Sequence, residues 1–138
     1  MNPAVGGILE TALYVDDVAR SAEFYTALFG FPTLIASDRI VALDVAGRDV
    51  LLLFKRGATT QPIPLEDGFI PPHDAGGNIH LAFSVALESL PDWEARLAGR
   101  GVAVESRHRW PRGGTSVYFR DPDGHLVELV TPGCWATY

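Results

Sequence analysis

A single cysteine, Cys134, is present in the 138 residues, so no internal disulfide can form and a reducing cytoplasm is the expected compartment. No basic stretch followed by an apolar core opens the chain, which gives no sign of a secretory leader. Apolar runs are also short, none approaching the roughly 20 residues that span a bilayer, so a soluble protein without a membrane partner is expected. Basic charge is scarce. Eleven Lys and Arg face seventeen Asp and Glu, and the net charge of -6 disfavours nucleic acid or an anionic membrane surface as partner. Low-complexity segments are absent. What is abundant is hydrophobic material, 47% of the chain, enough for one compact domain or two small modules sharing one core.

The most ordered stretch is Asn78-Ile79-His80-Leu81-Ala82-Phe83-Ser84-Val85. Its alternation puts Ile79, Leu81, Phe83 and Val85 on one strand face and His80, Ala82 and Ser84 on the other. The first face is an apolar ridge. The second presents one imidazole between small neighbours, as a ligand histidine on a pocket floor would be presented, although a lone strand histidine also serves as a hydrogen-bonded structural residue.

From the start of the chain, residues 8–15 alternate in the same way, and Asp16-Asp17 then offers an N-cap for an amphipathic helix that Gly30 and Pro32 stop. Three β-rich runs follow, at about 33–36, 40–45 and 49–54, separated by turn-forming residues. Between Lys55 and Gly77 the pattern dissolves into prolines and glycines, a loop expected to act as linker and functional segment together. After it the order recurs. A strand at 78–85 leads to a helix at about 89–98, then strands at about 102–106, 115–119 and 126–130, the last two joined by the turn sequence Asp121-Pro122-Asp123-Gly124. The expectation is an α+β chain of two βαβββ modules, about 7–55 and 78–132, joined by a linker at about 56–77 within one domain of residues 1–138.

The duplication makes specific pairs equivalent. Placing Glu10 over His80 aligns Ala12 with Ala82, and placing Leu52 over Glu128 aligns Leu51-Leu52-Leu53 with Val127-Glu128-Leu129. A pseudo-twofold should bring the four positions together. Glu10, His80 and Glu128 are metal-ligand types, and Glu128 stands in an otherwise apolar strand, where an unpaired carboxylate would be costly. Leu52 cannot ligate. The competing structural reading makes Glu10 a strand-end surface residue and pairs Glu128 with Arg120 or Arg39.

The run Leu9-Glu10-Thr11-Ala12-Leu13-Tyr14-Val15-Asp16-Asp17 with Ser21, Phe24-Tyr25 and Leu28-Phe29-Gly30, the His80 strand, and Tyr118-Phe119-Arg120-Asp121-Pro122-Asp123-Gly124-His125-Leu126-Val127-Glu128-Leu129 resemble the vicinal oxygen chelate superfamily of glyoxalase I, bleomycin-resistance proteins and extradiol dioxygenases. The resemblance covers almost the whole chain. It implies a glyoxalase-like fold in which curled mixed sheets form a cup, a homodimer, and metal ligands at positions onto which Glu10, Leu52, His80 and Glu128 fall. Members commonly carry histidine or glutamine where this chain has Glu10. Glyoxalase I carries a glutamate ligand where this chain has Leu52.

One imidazole and two carboxylates suit a divalent ion among Fe, Mn, Mg, Zn and Ni, and leave positions at which a small substrate chelates through adjacent oxygens. Glu10 and Glu128 are then also the candidate bases for an acidified α-proton. Leu52, His73, Trp110 and Tyr118 are the candidates for substrate contact, Tyr118 on a strand that would line the cup and His73 and Trp110 on loops that would close over it, with plain structural use of the last three as the competing reading. The leading expectation is a metal-dependent lyase or isomerase acting on a small oxygenated or electrophilic molecule. The alternatives are an extradiol-type dioxygenase and a non-catalytic drug-binding protein.

Overall fold

A computed structural model describes residues 2–138. Contacts divide the chain into two compact units, residues 1–76 and 77–138. Each consists of a mixed four-stranded sheet and a helix, the first with an added hairpin, and neither sheet closes into a barrel.

In the first unit β1 (Glu10–Val15) leads into α1 (Val18–Phe29), followed by β2 (Thr33–Ala36), β3 (Ile40–Val45) and β4 (Asp49–Lys55). The Asp17 carboxylate accepts from the Ala19 and Arg20 amides at 3.0 and 3.1 Å, and Gly30, at φ 74°, ends the helix by donating its N–H to Thr26 O. Val18, Tyr25 and Leu28 of α1 are buried with Leu13, Val15, Val41, Leu43, Leu51 and Leu53, and the helix packs on β3 and β4. Each such side chain contributes roughly 1.5–3 kcal/mol on leaving water, which holds the 12-residue helix to its sheet. The sheet order is β1-β4-β3-β2, with β1 and β4 parallel. Between β3 and β4, Ala46 and Gly47 both have positive φ (59° and 69°) and the Arg48 amide donates to Val45 O, a tight hairpin turn matched to the strand twist.

The 56–77 stretch is more ordered than its composition suggests. It holds a short hairpin, β5 (Ile63–Leu65) with β6 (Gly68–Ile70), and up to Gly76 it belongs to the first unit. Three-residue strands with a proline in one of them are too short to leave an alternation signal.

In the second unit β7 (His80–Ser84) is followed by a 3₁₀ turn (Leu87–Ser89), α2 (Leu90–Gly99), β8 (Ser106–Arg109), β9 (Thr115–Arg120) and β10 (Leu126–Val130), in sheet order β7-β10-β9-β8. The core is Leu81, Leu97, Val117, Phe119, Val127, Leu129 and Val130. At the Asp121–Gly124 turn the Gly124 amide closes on Asp121 O at 3.0 Å, while the Asp121 carboxylate accepts from the amides of Asp123 and His125 at 2.9 Å each. One strand departs from its expected range: β8 occupies 106–109 instead of 102–106. The Trp110 amide bonds Gly114 O and fixes the turn, so pairing with β9 runs back from Arg109, while Val102 donates its amide to Leu97 O and stays with the helix end.

The two units share a register. Glu10 pairs with Val50 and Ala12 with Leu52 in the parallel β1–β4 ladder, and His80 pairs with Leu126 and Ala82 with Glu128 in the parallel β7–β10 ladder. Glu10 is therefore the counterpart of His80, and Leu52 of Glu128, as the repeat implies.

Candidate metal centre and cavity

In the second unit, facing partners across β7, β10 and β9 place His80, Glu128 and Tyr118 on the sheet face away from the apolar core. His80 is exposed, and its Nδ1 lies 3.0 Å from Leu126 O. That carbonyl can only accept, so Nδ1 carries a proton, and in the neutral imidazole Nε2 is the nitrogen with the lone pair. Nε2 points at Glu128 Oε1 across 3.8 Å, too far for a hydrogen bond. Two donors on one metal ion, each about 2.0–2.2 Å from it, sit roughly 3.0–3.5 Å apart, so a small adjustment would let the pair share an ion. A histidine locked by its second nitrogen onto a backbone carbonyl, facing a carboxylate only 6% exposed, fits a metal-binding half-site.

The groups around it reinforce this character. Burial, and then hydrogen bonding to the Glu128 carboxylate, raise the Tyr118 phenol above its ordinary pKa, with Ser116 opposing. The Cys134 thiol is likewise raised, by burial and by the Glu128 charge. Arg120 is engaged by Glu105 at 2.8 Å and by Gly124 O, not by Glu128, while Arg39, in the first unit, donates to Ala58 O. Nor had sequence reasoning singled out His125. It is 1% exposed and its Nδ1 accepts the Ile79 amide at 3.0 Å, fixing the chain immediately before His80. Its place beside a turn was the available signal. Trp110 donates its indole N–H to Ser116 Oγ at 2.7 Å and packs edge-on against His108.

Glu10 and Leu52 belong to the first unit, as does His73. Glu10 is exposed and opens β1. The three residues line one cavity of about 770 Å³, together with Ala12, Ile40, Phe54, the hairpin residues Ile63 and Ile70, Pro71, Ser37, Arg39 and Thr59. His73 Nδ1 lies 2.5 Å from the Tyr14 hydroxyl and its ring packs edge-on against Phe54. The Tyr14 phenol is itself pushed up, first by burial and then by the Asp74 charge. Tyr14, which the Glu10-Ala12-Tyr14 alternation would have placed on this face, was not among the expected site residues. Among the described residues no group of three or more His, Cys, Asp and Glu is assembled to hold a metal ion. What is assembled is the His80–Glu128 pair.

No helix among the described residues is long and apolar enough to cross a membrane. The chain is similar to the metallothiol transferase FosB of Bacillus licheniformis, 31% identical over 131 residues that cover 94% of this chain and 78% of the relative. To the glutathione transferase FosA of Serratia marcescens it is 32% identical over 117 residues, covering 85% of this chain and 74% of that one. A solved structure of lactoylglutathione lyase from Agrobacterium tumefaciens superposes with a TM-score of 0.88 at 33% identity, covering 97% of this chain and 99% of the other. With residues 7–129 matching its model, the chain belongs to the Glyoxalase/Bleomycin resistance protein/Dioxygenase superfamily, the vicinal oxygen chelate proteins.

Proposed function

We propose that the protein is a metal-dependent enzyme acting on a small oxygen-bearing electrophile, with a thiol as co-reactant. The observation that carries this reading is the His80–Glu128 pair, with Nδ1 locked on Leu126 O and Nε2 turned to a buried carboxylate. His80 and Glu128 are the proposed ligands of a divalent ion, and Glu10, which the register makes the counterpart of His80, is the first unit's candidate ligand. When bound, such an ion would polarise the substrate oxygens that chelate it. Glu10 is an exposed carboxylate lining the cavity, so it is the group from which a proton acceptor can act at Oε1 or Oε2. Tyr118 faces Glu128 across the β9–β10 ladder, where its phenol is placed to orient the carboxylate.

The thiol rests on the names of the relatives, which speak of metallothiol transfer, glutathione transfer and a glutathione lyase. They move the reaction type toward thiol addition and keep the lyase or isomerase chemistry expected from the sequence as its near neighbour. A second reading, a binding protein for apolar molecules, is favoured by the lining of the first unit's cavity, where Ile40, Leu52, Phe54, Ile63 and Ile70 form the wall. The two are separated by elemental analysis and calorimetry with MnCl₂ on wild type and His80→Ala. One ion bound per chain in wild type and none in the variant supports the enzyme. Equal metal content in the two proteins would sink the proposed centre.

A further inference from the structure

The polar groups lining the first unit's cavity differ in what they have left to offer. Thr59 is 3% exposed and its hydroxyl donates to His73 O, while the His73 amide donates back to Thr59 O, so the two residues clamp one another. Ser37 Oγ accepts the Arg39 and Ile40 amides and donates to Ile40 O. Arg39 is exposed and has one nitrogen on Ala58 O. The imidazole of His73 is held by Tyr14 at Nδ1 alone.

Which atom carries the proton follows from the phenol. Burial and the Asp74 charge both disfavour phenolate at Tyr14, so the hydroxyl keeps its proton through neutral pH, and a phenol is a much better donor than acceptor. Tyr14 therefore donates to Nδ1, and His73 is fixed as the Nε2–H tautomer. Phe54, against which the ring packs at 4.7 Å between centroids, and the backbone clamp at Thr59 hold its orientation. A half-buried N–H donor of set direction beside a wall of Ala12, Ile40, Leu52, Phe54, Ile63 and Ile70 is how a site for an apolar body with one acceptor oxygen is built.

We propose that this cavity binds a compact aromatic or branched apolar molecule through a carbonyl-type oxygen that accepts from His73 Nε2–H, with Tyr14 as the positioning residue for that imidazole. That the occupant is the enzyme's substrate rests on the proposed function. The binding itself does not, because Tyr14, His73 and the apolar wall include no proposed metal ligand, Glu10 lining the same cavity but taking no part in the contact.

The probe is 2-acetonaphthone, a neutral ketone on a rigid apolar body, with 2-ethylnaphthalene as the oxygen-free control, titrated into the full chain with and without MnCl₂. Methyl NMR signals of Leu52, Ile63 and Ile70 should shift, and His73→Leu should weaken the ketone about fivefold while leaving the hydrocarbon unchanged, the loss expected for one neutral hydrogen bond. His73→Gln, which restores an N–H, should recover part of the loss. Imidazole ¹⁵N shifts should report Nε2–H in wild type and a mixed tautomer in Tyr14→Phe, a readout that does not depend on the stability of the Leu variant. Unmoved methyls, equal ketone affinity in wild type and His73→Leu, or an unchanged tautomer in Tyr14→Phe would overturn the proposal. Loss of metal binding in His80→Ala with ketone binding intact would leave it standing, and absence of metal from wild type would count against the enzyme reading alone.

Discussion

Replacing Glu128 by Gln should raise the stability of the metal-free protein while removing its response to metal. The carboxylate is 6% exposed, lies between Val127 and Leu129 in a strand whose other residues are buried or half-buried, and has the Tyr118 hydroxyl and the more distant His80 ring as neighbours. An ionised carboxylate so far from water costs of the order of several kcal/mol, and these two partners offset only part of it, leaving about 1–2 kcal/mol for the neutral isostere to recover. Glutamine keeps the shape and an acceptor for Tyr118. For a chain of this length about 1 kcal/mol corresponds to roughly 3 °C, so the metal-free variant should melt about 3–6 °C above wild type.

Metal inverts the order. At about a hundred times its dissociation constant a ligand that binds only the folded state adds about 2.7 kcal/mol, which here is roughly 8 °C for wild type and nothing for the variant. Wild type should then melt about 2–5 °C higher than Glu128→Gln, so the two proteins exchange rank between EDTA and MnCl₂. Circular dichroism melts of both proteins in both buffers read this directly. A metal-free variant less stable than wild type would mean that Glu128 is a structural residue satisfied by its neighbours, and equal metal-induced shifts would mean that it is not a ligand.

Four further outcomes are expected. Sedimentation at micromolar concentration should show a homodimer, because β2 is exposed at the edge of its sheet with Leu34 and Ile35 54% and 56% accessible; a monomer alone would count against this. Asp17→Ala, which removes the acceptor for the Ala19 and Arg20 amides, should lower stability by about 1 kcal/mol in urea titrations. Gly133→Ala should destabilise more, by upward of about 1–3 kcal/mol in the same assay, since φ there is +108° and a Cβ would stand 2.5 Å from the Gly114 nitrogen. The Tyr14 phenol titrates above its ordinary 10.0 in the fold, so the stability it brings is complete below pH 10 and is lost as pH rises through the folded value; the advantage of wild type over Tyr14→Phe should hold up to pH 10 and shrink above it by denaturant titration.

How far the sequence could be read depended on the range over which each feature is determined. The β1, β4, β7 and β10 alternation is local, each residue's face following from its own parity, so the Glu10–His80 and Leu52–Glu128 equivalences emerged with the correct register. The position of β8 depends on where the Trp110–Gly114 turn closes, a matter of two backbone bonds that apolar pattern does not encode, and Val102 imitated a strand while its amide bonds the helix end at Leu97 O. His73 was legible as a loop residue near a site. Its partner was not, because the Tyr14–His73 contact joins residues 59 apart and depends on the path of the intervening hairpin.

The same repeat explains why the halves differ in chemistry. In both ladders a small alanine, Ala12 or Ala82, faces the decisive residue of the neighbouring strand, which leaves room over it. Where that residue is Glu128, the space is bounded by His80 and Tyr118 and the half-site is polar. Where it is Leu52, the same space continues along Phe54 and Ile40 to the hairpin residues Ile63 and Ile70, and it becomes an apolar cavity with polar groups near its wall. A glutamate at position 52 would have put a second buried carboxylate into that wall, where desolvation would oppose it unless an ion stood beside it. A leucine at position 52 thus both withholds a ligating side chain and supplies apolar surface: the duplicated frame keeps its register, while the second unit carries the His80–Glu128 pair and the first an apolar cavity.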